Sequence, residues 1–195
     1  LLDAVIIGRS GSVTGTALAS ILEAGCSVVW EGKGGVMSFT PALREHSAAF
    51  AERQAECFAL KTERLAAIRR MMSLRFDEAP PKSYAENEIR GWEGLRMARL
   101  FKTLAKEHRV SWTGRENDPR SDFQKIDPIN RVLSSAFAIL YREVHLAVLV
   151  MGMAPALGFL HRADPKSFVY DMADIYKNEL ATEVFSAFTD DDHVE

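Results

Sequence analysis

Two aspartates, Asp171 and Asp174, stand three residues apart in "SFVYDMADIYK", and a histidine, His161, precedes them in "APALGFLH". On a helix that spacing projects both carboxylates from nearly one face, where like charges repel. Among Phe168, Val169, Tyr170, Met172 and Ile175 the pair is unfavourable by roughly a few tenths of a kcal/mol unless a cation compensates. A divalent metal supplies that compensation. Lys177, one turn beyond Asp174, supplies it equally as an ordinary ion pair, and the spacing leaves both readings open. A hard ion such as Mg²⁺ takes one or two carboxylates plus water and phosphate, while Mn²⁺ also accepts an imidazole. His161, Asp171 and Asp174 therefore form a partial ligand set with room for another acid.

Glu93 in "IRGWEGLRM" is the candidate for that place, lying between Gly91 and Gly94 and among Arg90, Arg96 and Arg99. Each glycine inside a helix costs about 1 kcal/mol relative to alanine. Two of them suggest that something approaches the backbone closely near Glu93, and helix packing meets that demand as well as a ligand does.

These residues need elements to position them. The opening reads as strand, helix, strand, strand in "DAVII", "VTGTALASILEAG", "CSVVWE" and "GGVMSF", with Gly25 ending the helix. "GRSGSVTG" lies between strand and helix, yet it is neither G-x-G-x-x-G nor a G-K-[ST] loop, so a turn capped by Ser12 or Thr14 is the better reading. From Pro41 to about Phe76 no glycine or proline interrupts a helical stretch, and Leu60, Leu65, Ile68, Met71 and Met72 form one apolar stripe. After "DEAPPKS" a second helix spans about Tyr84 to His108. Pro128 opens a third, strongly apolar helix ending near Gly152, and a fourth after Asp164 and Pro165 carries the aspartates. The fold class is α+β: a small β-containing region over 1–40, then a mostly helical unit over 41–195.

The formal net charge of −3 hides an uneven distribution: residues 1–60 carry −2, residues 61–120 carry +5 and residues 121–195 carry −6. A cationic surface beside metal-binding acids produces that pattern, and so do solvated helix faces. The 47% hydrophobic content fits a globular chain with a core and argues against disorder. Two cysteines, Cys26 and Cys57, without C-x-x-C spacing, point to a reducing, cytoplasmic setting and away from zinc or a disulfide framework. No run reaches 18 to 20 consecutive apolar residues, and "LLDAVIIGRSG" lacks a basic signal-peptide region. A start inside a strand and an end at "TDDDHVE" without a terminating signal read as a piece of a longer chain.

In order along the chain, "IRGWEGLRM", "VSWTGRENDP", "INRVLSSAFAILY", "APALGFLH" and "SFVYDMADIYK" resemble the CRISPR-associated integrase of spacer acquisition, in its type I-E branch. The resemblance runs from the "VVWEG" strand to "FSAF". It implies that Glu93, His161 and Asp174 bind one divalent metal, Mn²⁺ or Mg²⁺, with Asp171 beside them as a fourth catalytic residue. It also implies strand transfer, in which the 3′-hydroxyl of a captured DNA fragment attacks a phosphodiester at the edge of a CRISPR repeat, and endonuclease activity when water attacks instead. Lys177, Arg90 and Arg96 are then candidate phosphate contacts. The implied partners are double-stranded DNA, a small ferredoxin-like CRISPR-associated protein and a second copy of the chain, with the N-terminal β-domain used for dimerisation. By the same resemblance, first strands and final helices lie outside this stretch.

Three positions depart from the family pattern. Arg142 and Glu143 follow "LY" where a glycine is usual, Met153 replaces an aromatic, and Met37 stands where the branch often carries an arginine. Two other readings remain: an inactive DNA-binding scaffold, in which the acids only form ion pairs, and a generic metal-dependent nuclease with water as the attacking group.

Overall fold

The computed structural model describes residues 4–32, 35–39, 45–115 and 126–188. Strand β1 (Ala4–Ile7), helix α1 (Gly15–Glu23), strand β2 (Ser27–Gly32) and strand β3 (Gly35–Phe39) come first, in the order expected. β1 pairs parallel with β2, and β3 pairs antiparallel with β2 on its other side, setting Trp30 opposite Met37. The parallel pair requires the crossover that α1 supplies. Thr14 caps α1 by accepting the Ala17 N–H at 3.2 Å, and Gly25 follows the helix at φ 78°, a left-handed conformation that glycine adopts without steric cost.

Five described helices plus one short one make up the remainder: α2 (Glu45–Ala59), α3 (Lys61–Phe76), α4 (Glu86–Glu107), α5 (Pro128–Val150), α6 (Ser167–Asp174) and α7 (Lys177–Ser186). The class is α+β, as expected. The boundary expected between residues 40 and 41 lies outside the described residues.

The continuous helix expected up to Phe76 is two helices. The chain leaves helical geometry at Leu60, φ −91° and ψ 116°, although neither glycine nor proline stands there. Packing explains the break. α2 turns back along α3, so that Cys57 joins Ile68, Met71 and Met72 in one buried cluster, and Arg64 fastens the corner by donating to the Phe58 carbonyl at 2.6 Å and pairing with Glu86 at 2.7 Å. Leu60, expected in the stripe, is 54% exposed at the corner. The fourth expected helix is also two. A tight turn, with Tyr176 N–H donating to Ala173 O at 3.0 Å, separates α6 from α7.

α5 begins with Pro128 in the first turn, as the sequence predicts, and Asp127 caps it by accepting the Asn130 N–H at 2.9 Å. By length and hydropathy α5 could cross a membrane. Here it packs against α6 and α7 and buries Leu133, Phe137 and Val148.

Two apolar clusters organise the helices. One joins α2, α3, Ile89 of α4, Val148 of α5, the 159–160 segment and Phe168 of α6. The other joins α4, α5 and α7 around Phe101, Leu133, Phe137 and Phe185. The expected site residues lie on elements drawn from both.

Candidate functional site

Asp171 is fully buried on α6, and an isolated carboxylate there would be very costly. It is satisfied by three successive backbone N–H groups. Leu160 donates to Oδ2 at 3.1 Å, Phe159 donates to the same oxygen, and His161 donates to Oδ1 at 2.9 Å. The His161 ring adds a fourth bond, Nδ1 to Asp171 Oδ1 at 2.8 Å. The sequence folds this way because the chain at Gly158 passes too close to α6 for a side chain: an added Cβ would stand 2.5 Å from Ser167 Cβ and 2.6 Å from its carbonyl carbon.

The loop leading to His161 is fixed from its other side by Gln54 of α2. Its Nε2 donates to the carbonyls of Ala154 at 2.8 Å and Leu157 at 3.2 Å, and its Oε1 accepts the Ala154 N–H at 2.8 Å. One buried amide thus satisfies three backbone groups of a loop that has no partner strand.

With Nδ1 bound to Asp171, His161 keeps Nε2 for another partner. Burial alone would lower the His161 pKa, but the hydrogen bond to Asp171 and the charges of Asp174, Asp171 and Glu93 outweigh it and hold it above 6.5.

Asp174 ends α6, almost completely buried. Its Oδ2 lies 3.9 Å from His161 Nδ1 and 3.5 Å from Arg75 Nη1. Lys177 Nζ stands 2.5 Å from Oδ1, but without hydrogen-bond alignment, so this buried oxygen keeps acceptor capacity. Glu93, on α4, receives Arg75 Nη1 at 2.6 Å. The four residues singled out in the sequence therefore converge, from α4, α6 and the loop before α6.

They converge around cations. Among the described residues, no three His, Cys, Asp or Glu side chains stand close enough to hold a metal as they are, because Arg75 and Lys177 lie against the acids. The donor set still suits a divalent ion of the Mg²⁺ or Mn²⁺ kind: Glu93 and Asp174 offer carboxylate oxygens, His161 offers Nε2, and Asp174 Oδ1 is incompletely used. Asp171 differs from the other three, since hydrogen bonds occupy both its oxygens and leave it to orient His161.

Lys177 is not a surface group. It lies beneath Asp174 and over the rings of Phe137 at 5.5 Å and Tyr141 at 5.0 Å. Burial lowers its pKa, and the Asp174 carboxylate more than restores it. Arg96 pairs with Glu78 and stacks over Trp92 at 4.9 Å, whereas Arg90 is exposed. Gly91 and Gly94 meet no neighbour within 4 Å of an added Cβ, so packing among the described residues does not account for them. They leave α4 bare beside Glu93. Arg142 and Glu143 are exposed and paired with each other at 2.9 Å, Met153 packs against the first cluster and Met37 is exposed.

Arg75 is the residue that reading the sequence missed. Its signal was present: Arg64, Ile68, Met71, Met72 and Arg75 recur at helical spacing, and all five are buried. A basic residue on an apolar stripe marks an acid awaiting it.

Residues 78–192 match the family described as CRISPR associated protein Cas1. Among curated proteins, the chain is 40% identical over 180 residues to CRISPR-associated endonuclease Cas1 1 of Rhodospirillum rubrum, covering 91% of this chain and 56% of that protein. It is 33% identical over 199 residues to CRISPR-associated endonuclease Cas1 of Clostridium sp., covering 100% of this chain and 66% of that one. The fold superposes on the crystal structure of a TtCas1–DNA complex with a TM-score of 0.72 and 34% identity, covering 95% of this chain and 66% of the other. The chain thus spans between about half and two thirds of the length of these relatives.

Proposed function

The chain belongs to the Cas1 family of CRISPR-associated proteins, and from that premise we propose that it contributes the catalytic centre of a metal-dependent DNA integrase. The observation that carries this reading is the convergence of Glu93, His161 and Asp174 from three separate segments, with His161 held by Asp171 so that Nε2 is free.

Glu93, Asp174 and Nε2 of His161 would hold Mn²⁺ or Mg²⁺. When bound, such an ion polarises a phosphoryl oxygen and offsets the charge that develops on it. Asp171 fixes the tautomer and direction of the imidazole, as partners of metal-bound histidines generally do. In strand transfer the 3′-oxygen of an incoming fragment forms a bond to phosphorus at a repeat boundary. The existing phosphorus to 3′-oxygen bond breaks, the attacking hydroxyl loses its proton and the departing oxygen gains one. The DNA supplies the nucleophile, so the protein needs none of its own. Lys177 stabilises Asp174 from beneath.

DNA has an approach to Glu93 along α4, where the bare Gly91 and Gly94 are accompanied by exposed Arg90, Arg99 and Lys102. Cations there track phosphates without reading sequence, and Arg90 is the better phosphate contact of the three residues the sequence suggested. The relative solved with DNA supports the same substrate class. We include in the proposal a β-region over 1–40 that joins two copies, a helical catalytic unit over 41–195 and a small ferredoxin-like partner protein.

The test is a joining assay. The protein, with and without the small partner, receives Mn²⁺, a labelled duplex with free 3′-ends and a repeat-bearing plasmid, beside His161→Ala. Label joined to plasmid only when His161 is intact supports integration. Cleavage without joining would favour a nuclease, and DNA binding without either would favour a scaffold.

A further inference from the structure

Arg75 does more than neutralise buried charge. Its side chain is 1% exposed, and a guanidinium so far from water is tolerated only when its donors are used. Nη1 donates to Glu93 at 2.6 Å and lies 3.5 Å from Asp174 Oδ2, so a single nitrogen faces both of the carboxylates proposed to hold the metal. Nε donates to Asn178 Oδ1 at 3.1 Å, and Asn178 Nδ2 donates back to the Arg75 carbonyl at 2.8 Å. The Phe76 ring lies 4.9 Å from the guanidinium carbon. Asn178, on α7, therefore holds Arg75, on α3, by both its backbone and its side chain, and Arg75 in turn faces Glu93 on α4 and Asp174 on α6.

We propose that Arg75, fixed by Asn178, is a positioning residue that sets Glu93 and Asp174 for the metal. The inference rests on the metal reading of the preceding section. Without a cation, two buried carboxylates near one another repel and turn apart. With a cation of fixed direction they stay aimed at one point before the ion arrives. A guanidinium suits this task better than an ammonium, because its planar fork retains direction where an ammonium is a rotating point charge. Asn178 contributes only direction, as it carries no charge.

That division makes the proposal testable without altering the charge of the site. Mn²⁺ is titrated into the protein while free Mn²⁺ is followed by electron paramagnetic resonance, for the unaltered protein, Asn178→Ala, Arg75→Lys and His161→Ala. Melting curves in EDTA establish that each variant is folded at the temperature used. Outer partners of metal ligands typically change metal affinity by about 10-fold or more. The expected result is a loss of about that size in both Asn178→Ala and Arg75→Lys, although each keeps the positive charge at position 75. Unchanged affinity in those two variants would show that Arg75 is only a structural counter-charge. Tighter binding would show that it competes with the metal, and would equally overturn the proposal. If the unaltered protein fails to bind Mn²⁺, or binds it as well without His161, the metal reading itself falls and takes this inference with it.

Discussion

His161 commits Nδ1 to Asp171 Oδ1 at 2.8 Å, and the same carboxylate receives the backbone N–H groups of residues 159, 160 and 161. The imidazole and the loop that carries it are thus aimed by one buried acid. Asp171→Asn turns an amide N–H toward backbone donors. It is expected to lower unfolding stability by about 3 kcal/mol, since each buried donor left unmatched costs roughly 1 to 3 kcal/mol. Urea unfolding measures this, and a change below about 0.5 kcal/mol would be incompatible with the bonding described.

Gly158→Ala places a methyl group against Ser167 and the His161 carbonyl, which are backbone or rigidly held. The loop must shift, and overpacking of this kind costs about 1 to 3 kcal/mol. A drop in melting temperature with a larger fractional loss of DNA joining is expected, because the displaced segment ends at His161. Equal joining rates in the two proteins would contradict the close approach at Gly158.

Gln54→Leu preserves approximate volume but strands three backbone groups of the 154–157 loop. The expected cost is about 2 to 4 kcal/mol. Hydrogen exchange localises it: amides at 154 to 161 should lose protection while those of α5 keep theirs. Uniform loss would mean that the loop does not open independently.

Two histidines among the described residues act on opposite sides of pH 6.5. His161 has a folded pKa above 6.5, so its contribution is fully present below 6.5 and disappears as pH rises through the raised value. His145 has a folded pKa below 6.5, through burial and then the charge of Lys166, so its contribution is present above 6.5 and disappears as pH falls through the lowered value. In EDTA, His161→Gln should flatten the alkaline limb of stability against pH and His145→Gln the acid limb. Identical effects on both limbs would refute the assignment.

The sequence disclosed most of the element order because its signals are local: Thr14 as a cap, Pro128 in a first turn and Gly25 after a helix. The break at Leu60 was hidden because its cause is distant: α2 gains burial by folding back on α3, and nothing at Leu60 announces that. Within the site, Glu93, His161, Asp171 and Asp174 were legible as residue types that suit a cation. Their division of labour was not, since only the fold reveals that three loop N–H groups saturate Asp171. Lys177 is open in the sequence to an ion pair or a phosphate contact, and only the fold shows that it lies against Phe137 and Tyr141 beside Asp174. Arg75 goes unremarked in the sequence, although the stripe it shares with Ile68 and Met72 points inward.

The acids and their cations come together from α3, α4, α6 and α7, elements that pack in two apolar clusters. Chains are synthesised from the N-terminus, so Glu93 leaves the ribosome well before Asp174 and Lys177. Until α6 and α7 have emerged, a growing polypeptide therefore lacks Asp171, Asp174 and Lys177. On the proposed function, the cation-binding set would be complete only once α6 and α7 have docked, and a chain interrupted before them would lack it.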